Sequence, residues 1–133
     1  MTTTQIASLE TADLVTLSSN QIRAITTAGI AGFDTADVAA LTSSQVSSLT
    51  TAQVRAMETA DVAAIETTDL AAMGTAQLNA FATSQIDALG TTQLNALTTA
   101  QIASLSTVQL SSLTTSDLDS LTTSQFAAIT SSA

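Results

Sequence analysis

The chain has no cysteine, proline, histidine, tryptophan or tyrosine, and its only cations are Arg23 and Arg55. Eleven acidic residues stand against them, so the formal net charge is −9. A nucleic-acid-binding surface has to neutralise phosphates with basic side chains, and this composition therefore excludes nucleic acid as a partner. The same shortage of positive charge argues against docking on an anionic membrane surface.

Long hydrophobic runs are also absent. Thr and Ser interrupt every apolar stretch well before the ~18 residues that a spanning helix needs, so we expect no membrane insertion. The first residues, MTTTQIASL, lack a charged start and a long apolar segment, and we expect no cleavable signal. The lack of cysteine is compatible with either redox compartment.

Catalytic groups are scarce. Thr and Ser supply many hydroxyls, but a hydroxyl nucleophile needs a neighbouring base such as His or Lys, and the chain has neither. We therefore expect no catalytic residues, no cofactor and no enzymatic activity.

A repeat of eight residues runs through the whole chain. Counted from Thr3, sixteen octads cover residues 3–130 without an insertion or deletion. Position one is always Thr or Ser, and position three is Gln in ten octads, Asp in five and Gly29 in one. Positions four and seven are large and apolar, and position six is small. We interpret residues 1–133 as a single repeat domain with no distinct capping repeats.

The period of eight predicts short helices. Apolar residues at positions four and seven share one face of a helix. A continuous helix advances ~100° per residue, so the apolar stripe would drift by ~80° per octad and never face one partner. The chain must therefore break in every octad. We predict an all-α solenoid of very short helices of about five or six residues, one per octad, which are stable only when stacked.

Two alternatives stay open at this stage. A β-solenoid is the rival fold, but it would place positions four and seven on opposite faces, and its corners usually need residues with positive φ. Two octads per coil would give a rod of roughly 70–80 Å. The triplet TAD, which begins at residues 11, 35 and 59, indicates three octads per coil instead.

The helix cap can be assigned to either of two threonines. In the phrase LTTAQIASL, Thr98 and Gln101 have the spacing of a capping box. However, the position of Thr98 is Glu, Ala or Gly in other octads, whereas the position of Thr99 is always Thr or Ser. We therefore predict Thr99 as the N-cap and Thr98 as the corner, with Gly74 and Gly90 just past a helix end.

Pairs of acids suggest a metal site. Glu58 with Asp61 and Glu66 with Asp69 lie in consecutive octads, and four carboxylates could approach one another. Carboxylate oxygens are the ligands of Ca²⁺, so these four residues are calcium candidates. The alternative is structural, because acids at a helix start are favoured by its exposed N–H groups.

The threonine pairs could form a surface file. Stacked Thr pairs resemble the surfaces of ice-binding repeat proteins, but Glu10, Asp34, Glu58 and Glu66 interrupt the file, leaving residues 98–123 as the candidate stretch. Arg23 and Arg55 fall at position five, which we expect to face solvent.

The octapeptide LTTxQ[IVL]xxL resembles repeat tracts of large bacterial secreted or surface proteins of the adhesin type. That resemblance implies a non-catalytic spacer, stalk or self-assembly module outside the cell, exported without a cleaved N-terminal signal. The first and last octads keep their apolar residues, including Ile6 and Ile129. We therefore expect head-to-tail stacking on other copies or on neighbouring domains of a longer chain.

Overall fold

Each octad forms one short helix in the computed structural model, which describes residues 2–132. Sixteen helices, α1 to α16, follow one another in that range, and the range contains no strand. Most have four to six residues, and α16 has ten. The prediction of an all-α solenoid is confirmed, and the β-solenoid alternative is wrong.

The helices begin at position one of each octad, with the following bounds. They are α1 Thr3–Ala7, α2 Thr11–Leu14, α3 Ser19–Ala24, α4 Thr27–Ala31, α5 Thr35–Ala40, α6 Ser43–Ser48, α7 Thr51–Ala56, α8 Thr59–Ala64, α9 Thr67–Ala72, α10 Thr75–Ala80, α11 Thr83–Asp87, α12 Thr91–Ala96, α13 Thr99–Ser104, α14 Thr107–Ser111, α15 Thr115–Ser120 and α16 Thr123–Ser132.

Three octads make one coil of the solenoid. Each helix packs against the helix three octads further along, from α1 on α4 through to α13 on α16. One coil therefore contains 24 residues, as the spacing of the TAD triplets indicated, and the assumption of two octads per coil is wrong. With stacked helices ~8–10 Å apart, the sixteen octads make a rod of roughly 45–55 Å, shorter than the 70–80 Å predicted above.

Two consecutive extended residues make the corner between helices. Leu97 follows α12 with φ −65° and ψ 138°, and Thr98 precedes α13 with φ −69° and ψ 159°. No described residue has a positive φ. The corner therefore needs no glycine, which agrees with the four glycines in the whole chain. Gly74 and Gly90 lie past the ends of α9 and α11, as predicted, but their φ of −74° and −77° show that neither adopts the left-handed conformation for which glycine is usually chosen there.

The core runs along the rod as predicted from the octad. Position four is buried from Ile6 to Ile102, and position seven is buried from Ile25 to Leu113. Towards the end of the chain Leu110, Leu118 and Ile129 are half-buried, and Phe126 is 49% exposed. Within the described residues, no helix is long and apolar enough to cross a membrane.

The N-cap is Thr98, so the prediction of Thr99 is wrong. Thr98 Oγ1 accepts the backbone N–H of Gln101 at 3.2 Å, and Gln101 Oε1 accepts the backbone N–H of Thr98 at 2.8 Å. Position eight tolerates Gly74, Ala82 and Gly90 because the Gln side chain still accepts the cap N–H there. Thr99 is the first helical residue and is exposed; nothing in the structure explains why position one is always Thr or Ser.

The two threonines can be separated by substitution. Thr98→Ala removes the side-chain cap and should lower the free energy of unfolding by ~1 kcal/mol. Thr99→Ala changes an exposed side chain outside the cap and should stay within ~0.5 kcal/mol of the parent chain. Urea denaturation of both variants is the measurement, and a loss at Thr99 with none at Thr98 would contradict the assignment.

Candidate functional site

A buried glutamine joins each coil to the one before it. Gln101 lies in the first turn of α13, and only 3% of its surface is exposed. Its Nε2 donates to the main-chain carbonyls of Leu70, at 2.9 Å, and Met73, at 2.8 Å. These carbonyls lie at the end of α9, four octads earlier. The side-chain oxygen therefore accepts a hydrogen bond at the start of its own helix, and the side-chain nitrogen donates to two carbonyls at the end of a helix four octads earlier.

The same glutamine bridge recurs along the rod. Within residues 2–132, the bridge forms at every position-three Gln that has another octad four repeats before it. Each of these side chains donates to the carbonyls at positions four and seven of that earlier octad. The donors are Gln45, Gln53, Gln77, Gln85, Gln93, Gln101, Gln109 and Gln125. Gln5 and Gln21 have no such octad and are exposed. The burial of this residue type therefore depends on the coil beneath it.

The sequence identified Gln101 only through its capping-box spacing from Thr98 and gave it no partner in another coil. The sequence does contain a signal for this contact: position three, next to the buried position four, is Gln in ten octads and never Glu. Gln and Glu have similar helix propensities, so helix formation alone does not explain the preference. The preference indicates that the side chain must donate a hydrogen bond in the interior.

A second contact between coils comes from position five. Arg23 Nε donates to the Ser48 carbonyl and Arg55 Nε to the Ala80 carbonyl, each at 3.0 Å. Both arginines are exposed, as expected, but each also reaches the helix three octads later. The side-chain amides of Asn79 and Asn95 make the same contact, with the carbonyls of Ser104 and Ser120.

The corners stack into three edges, because each coil has three octads. One edge precedes helices α1, α4, α7, α10, α13 and α16, and we call it the threonine edge. Its position-eight residues are Thr2, Thr26, Thr50, Gly74, Thr98 and Thr122, and its position-one residues are Thr3, Thr27, Thr51, Thr75, Thr99 and Thr123. All of these residues are exposed. None is charged, so the acids that interrupt the threonine file in the sequence lie elsewhere.

The acidic edge precedes α2, α5, α8, α11 and α14. Its position-eight residues are Glu10, Asp34, Glu58, Ala82 and Ser106. The calcium candidates Glu58 and Asp61 belong to this edge, whereas Glu66 and Asp69 belong to the third edge, before α9. The structure therefore groups Glu58 and Asp61 with Asp34 and Asp37 of the previous coil, and separates them from the other pair.

No group of three or more acidic side chains in the described part of the chain could hold a metal ion. Several acids instead serve the helix starts. Asp34 and Asp37 exchange hydrogen bonds through their carboxylates and backbone N–H groups at 3.1 and 2.9 Å. This is the structural role expected for acids near exposed helical N–H groups. Calcium binding by Glu58, Asp61, Glu66 and Asp69 stays a prediction.

Aspartate replaces glutamine at position three in some octads and cannot donate as a carboxylate. Asp69 is buried and accepts a hydrogen bond from the Ser43 hydroxyl. Asp117 accepts the backbone N–H of Thr114 at 2.9 Å. Asp61 differs, because its Oδ2 is the one buried side-chain polar atom of the described residues that has no hydrogen-bond partner. Burial, and then the negative charge of Glu58, raise the pKa of Asp61.

Surface grooves lie between neighbouring coils. One of about 410 Å³, between α7 and α10, is lined by Thr51, Ala52, Arg55, Ala76, Asn79 and Ala80. Arg55 is the one ionisable side chain in that lining. The groove can offer hydrogen bonds and a positive charge, but it contains no acid and base pair.

One known protein family matches this chain. The model of the ALTTAQ repeat matches residues 6–42, 30–64 and 62–99, which together span more than two thirds of the chain. The chain belongs to the ALTTAQ repeat family. Searches among curated proteins and among solved structures gave no match.

The ALTTAQ phrase itself spans residues 96–101 and describes one corner. Ala96 ends α12, Leu97 turns the corner, Thr98 caps the next helix, and Thr99 begins α13. Gln101 completes the phrase and makes the bridge. The ALTTAQ phrase therefore contains the residues that turn the chain and join one coil to another.

The bridge predicts a strong penalty for a carboxylate. Gln101→Glu keeps the acceptor for the Thr98 N–H but sets a buried charge against two carbonyls. We expect the free energy of unfolding to fall by ~3 kcal/mol or more at neutral pH. The loss should shrink at low pH, because a protonated Glu can donate again. Urea denaturation at both pH values is the measurement.

Gln21→Glu is the matched control for this ALTTAQ position. Gln21 accepts the Ser18 N–H at 2.9 Å but is exposed and has no octad beneath it. The same substitution should therefore change stability by no more than ~0.5 kcal/mol. Equal losses at Gln21 and Gln101 would show that the bridge contributes nothing.

Proposed function

We propose that this chain is a non-catalytic structural repeat module, a spacer or self-assembly segment of a bacterial extracellular or surface protein. The supporting observation is that successive coils are joined by one repeated contact, the glutamine bridge. Adding coils lengthens the rod without requiring a new interface. The resemblance of the octapeptide to adhesin-type repeat tracts supports the extracellular setting.

Self-association follows from the same contact. At one end of the rod, Gln5 and Gln21 are exposed, and each side chain bonds only its own helix start through Oε1. At the other end, the carbonyls of Leu105 and Leu121 lack the Gln donor that Leu97 receives from Gln125. A further octad of the same chain would supply that donor.

The register of this head-to-tail contact is defined by the coil. A second copy stacked in continuation would pack its octads 1 and 3 on octads 14 and 16, and their Gln side chains would reach octads 13 and 15, four octads back. Its Gln5 would then donate to the Ile102 and Leu105 carbonyls, and its Gln21 to those of Leu118 and Leu121. The half-buried side chains of Leu118 and Leu121 would be covered in the same contact.

Sedimentation velocity tests the association. We expect the 133-residue chain to form linear oligomers as its concentration approaches the millimolar range, more readily in added salt that screens the net charge of −9. The double variant Gln5→Glu/Gln21→Glu should weaken association by about tenfold or more, because it removes both donors and adds two charges.

The control adds the same charge away from the ends. Ser44→Glu/Ser84→Glu alters two exposed positions in the middle of the rod, in the octads of α6 and α11. Those substitutions should leave association close to that of the parent chain. A parent chain that sediments as a monomer at millimolar concentration, or equal weakening by both double variants, would contradict the proposed contact.

A second candidate function is ice binding by the threonine edge. The observation in its favour is that the three-octad coil separates the threonine edge from the acidic edge. The Thr pairs 2–3, 26–27, 50–51, 98–99 and 122–123 then follow one another on an uncharged edge, with Gly74 and Thr75 between them.

Ice-crystal shaping is the test of this candidate. If the threonine edge binds ice, the double variant Thr27→Lys/Thr51→Lys should abolish shaping, because two charges then interrupt the array. Thr83→Lys/Thr107→Lys places the same substitutions at the same octad position, the first residue of α11 and of α14, and should leave shaping intact. Absence of shaping by the parent chain, or equal loss in both variants, would remove the candidate.

A further inference from the structure

Asp61 occupies the place of a bridging glutamine. It lies at position three of the octad that contains α8, with 3% of its surface exposed. At the equivalent place, Gln53 donates to the carbonyls of Ile22 and Ile25, and Gln85 donates to those of Val54 and Met57. The register therefore directs Asp61 towards the carbonyls of Ile30 and Phe33, at the end of α4.

The two carboxyl oxygens of Asp61 have different surroundings. One oxygen serves the start of α8, where a hydrogen bond from the Glu58 backbone N–H favours the charged form. The other, Oδ2, is buried without a partner. A carboxylate oxygen turned towards main-chain carbonyls is repelled by them, whereas a protonated oxygen can donate to one of them.

The charged groups around Asp61 all favour its neutral form. Glu58 precedes α8; Asp34 precedes α5 and Asp37 lies in its first turn, and α5 packs against α8. The next helix on the same side, α11, carries Asp87, and α4 carries no titratable side chain. Neither arginine contributes to the pKa of Asp61. Several negative charges therefore surround this carboxyl.

We propose that Asp61 is a proton-binding site that joins two coils: its neutral carboxyl donates to a main-chain carbonyl at the end of α4, and loss of the proton weakens that contact. The inference does not rest on the scaffold function proposed above. A glutamine bridge holds coils together at any ordinary pH, whereas the Asp61 contact responds to proton concentration.

The direction of the pH effect follows from linkage. Because the pKa of Asp61 is raised, the folded chain holds this proton at pH values at which the unfolded chain has released it. The stabilising contribution is present below the ordinary pKa of an aspartate and is lost as pH rises through the raised value. A less acidic medium should therefore loosen the rod at this coil.

Asp61→Asn tests the proposal, because the amide keeps the shape and donates at every pH. We expect its urea midpoint to match the parent chain near about pH 4 and to exceed it by a margin that grows towards about pH 8. A ¹³C NMR titration of the parent chain should give the Asp61 carboxyl a midpoint above that of exposed aspartates. Glu58→Gln should move that midpoint to lower pH, since it removes a neighbouring charge.

Asp69→Asn is the matched control. Asp69 is also buried at position three, but its carboxylate already accepts a hydrogen bond from Ser43. That substitution should give no gain that grows with pH. An Asp61 carboxyl that titrates like an exposed aspartate, or an Asp61→Asn variant that is less stable than the parent at every pH, would overturn the proposal.

Discussion

The solenoid depends on one primary amide. In the glutamine bridge, the side-chain oxygen accepts the N–H of the residue that caps its own helix. The side-chain nitrogen donates to two carbonyls at the end of a helix four octads earlier in the chain. Both helix ends would otherwise leave backbone groups unsatisfied beside an apolar core, at a cost of ~1–3 kcal/mol each. Helices of about six residues are unstable alone, so their ends decide whether the rod forms.

This constraint explains the variation within the octad. The capping position can be Thr98, Ala82 or Gly90, because the Gln oxygen accepts the cap N–H whatever the side chain is. Position seven turns the corner in an extended conformation that any L-residue adopts, and its side chain fills the core. The bridge position is Gln, Asp or, once, Gly, and an aspartate there leaves carbonyls without their donor, most plainly at Asp61.

The period of eight was enough to predict helices, their length and the core positions, because a continuous helix cannot keep an apolar stripe of that period on one side. The number of octads per coil could not be derived, since it depends on the angle at the corner and not on any single helix. The prediction of Thr99 as the cap is wrong because an invariant residue need not make a hydrogen bond, and the capping bond belongs to Thr98. The three edges, and therefore the separation of Glu58 from Glu66, can be predicted only when the number of octads per coil is known.

The most direct measurement is a nuclear Overhauser experiment on the side-chain amide protons of Gln101. Three octads per coil with a glutamine bridge predicts contacts between these protons and residues 70–73, which lie 28–31 residues earlier. The amide protons should also exchange slowly with solvent, unlike those of exposed Gln5 and Gln21. Contacts with Leu78 and Phe81 instead, one octad nearer in sequence, would mean two octads per coil and would contradict the account.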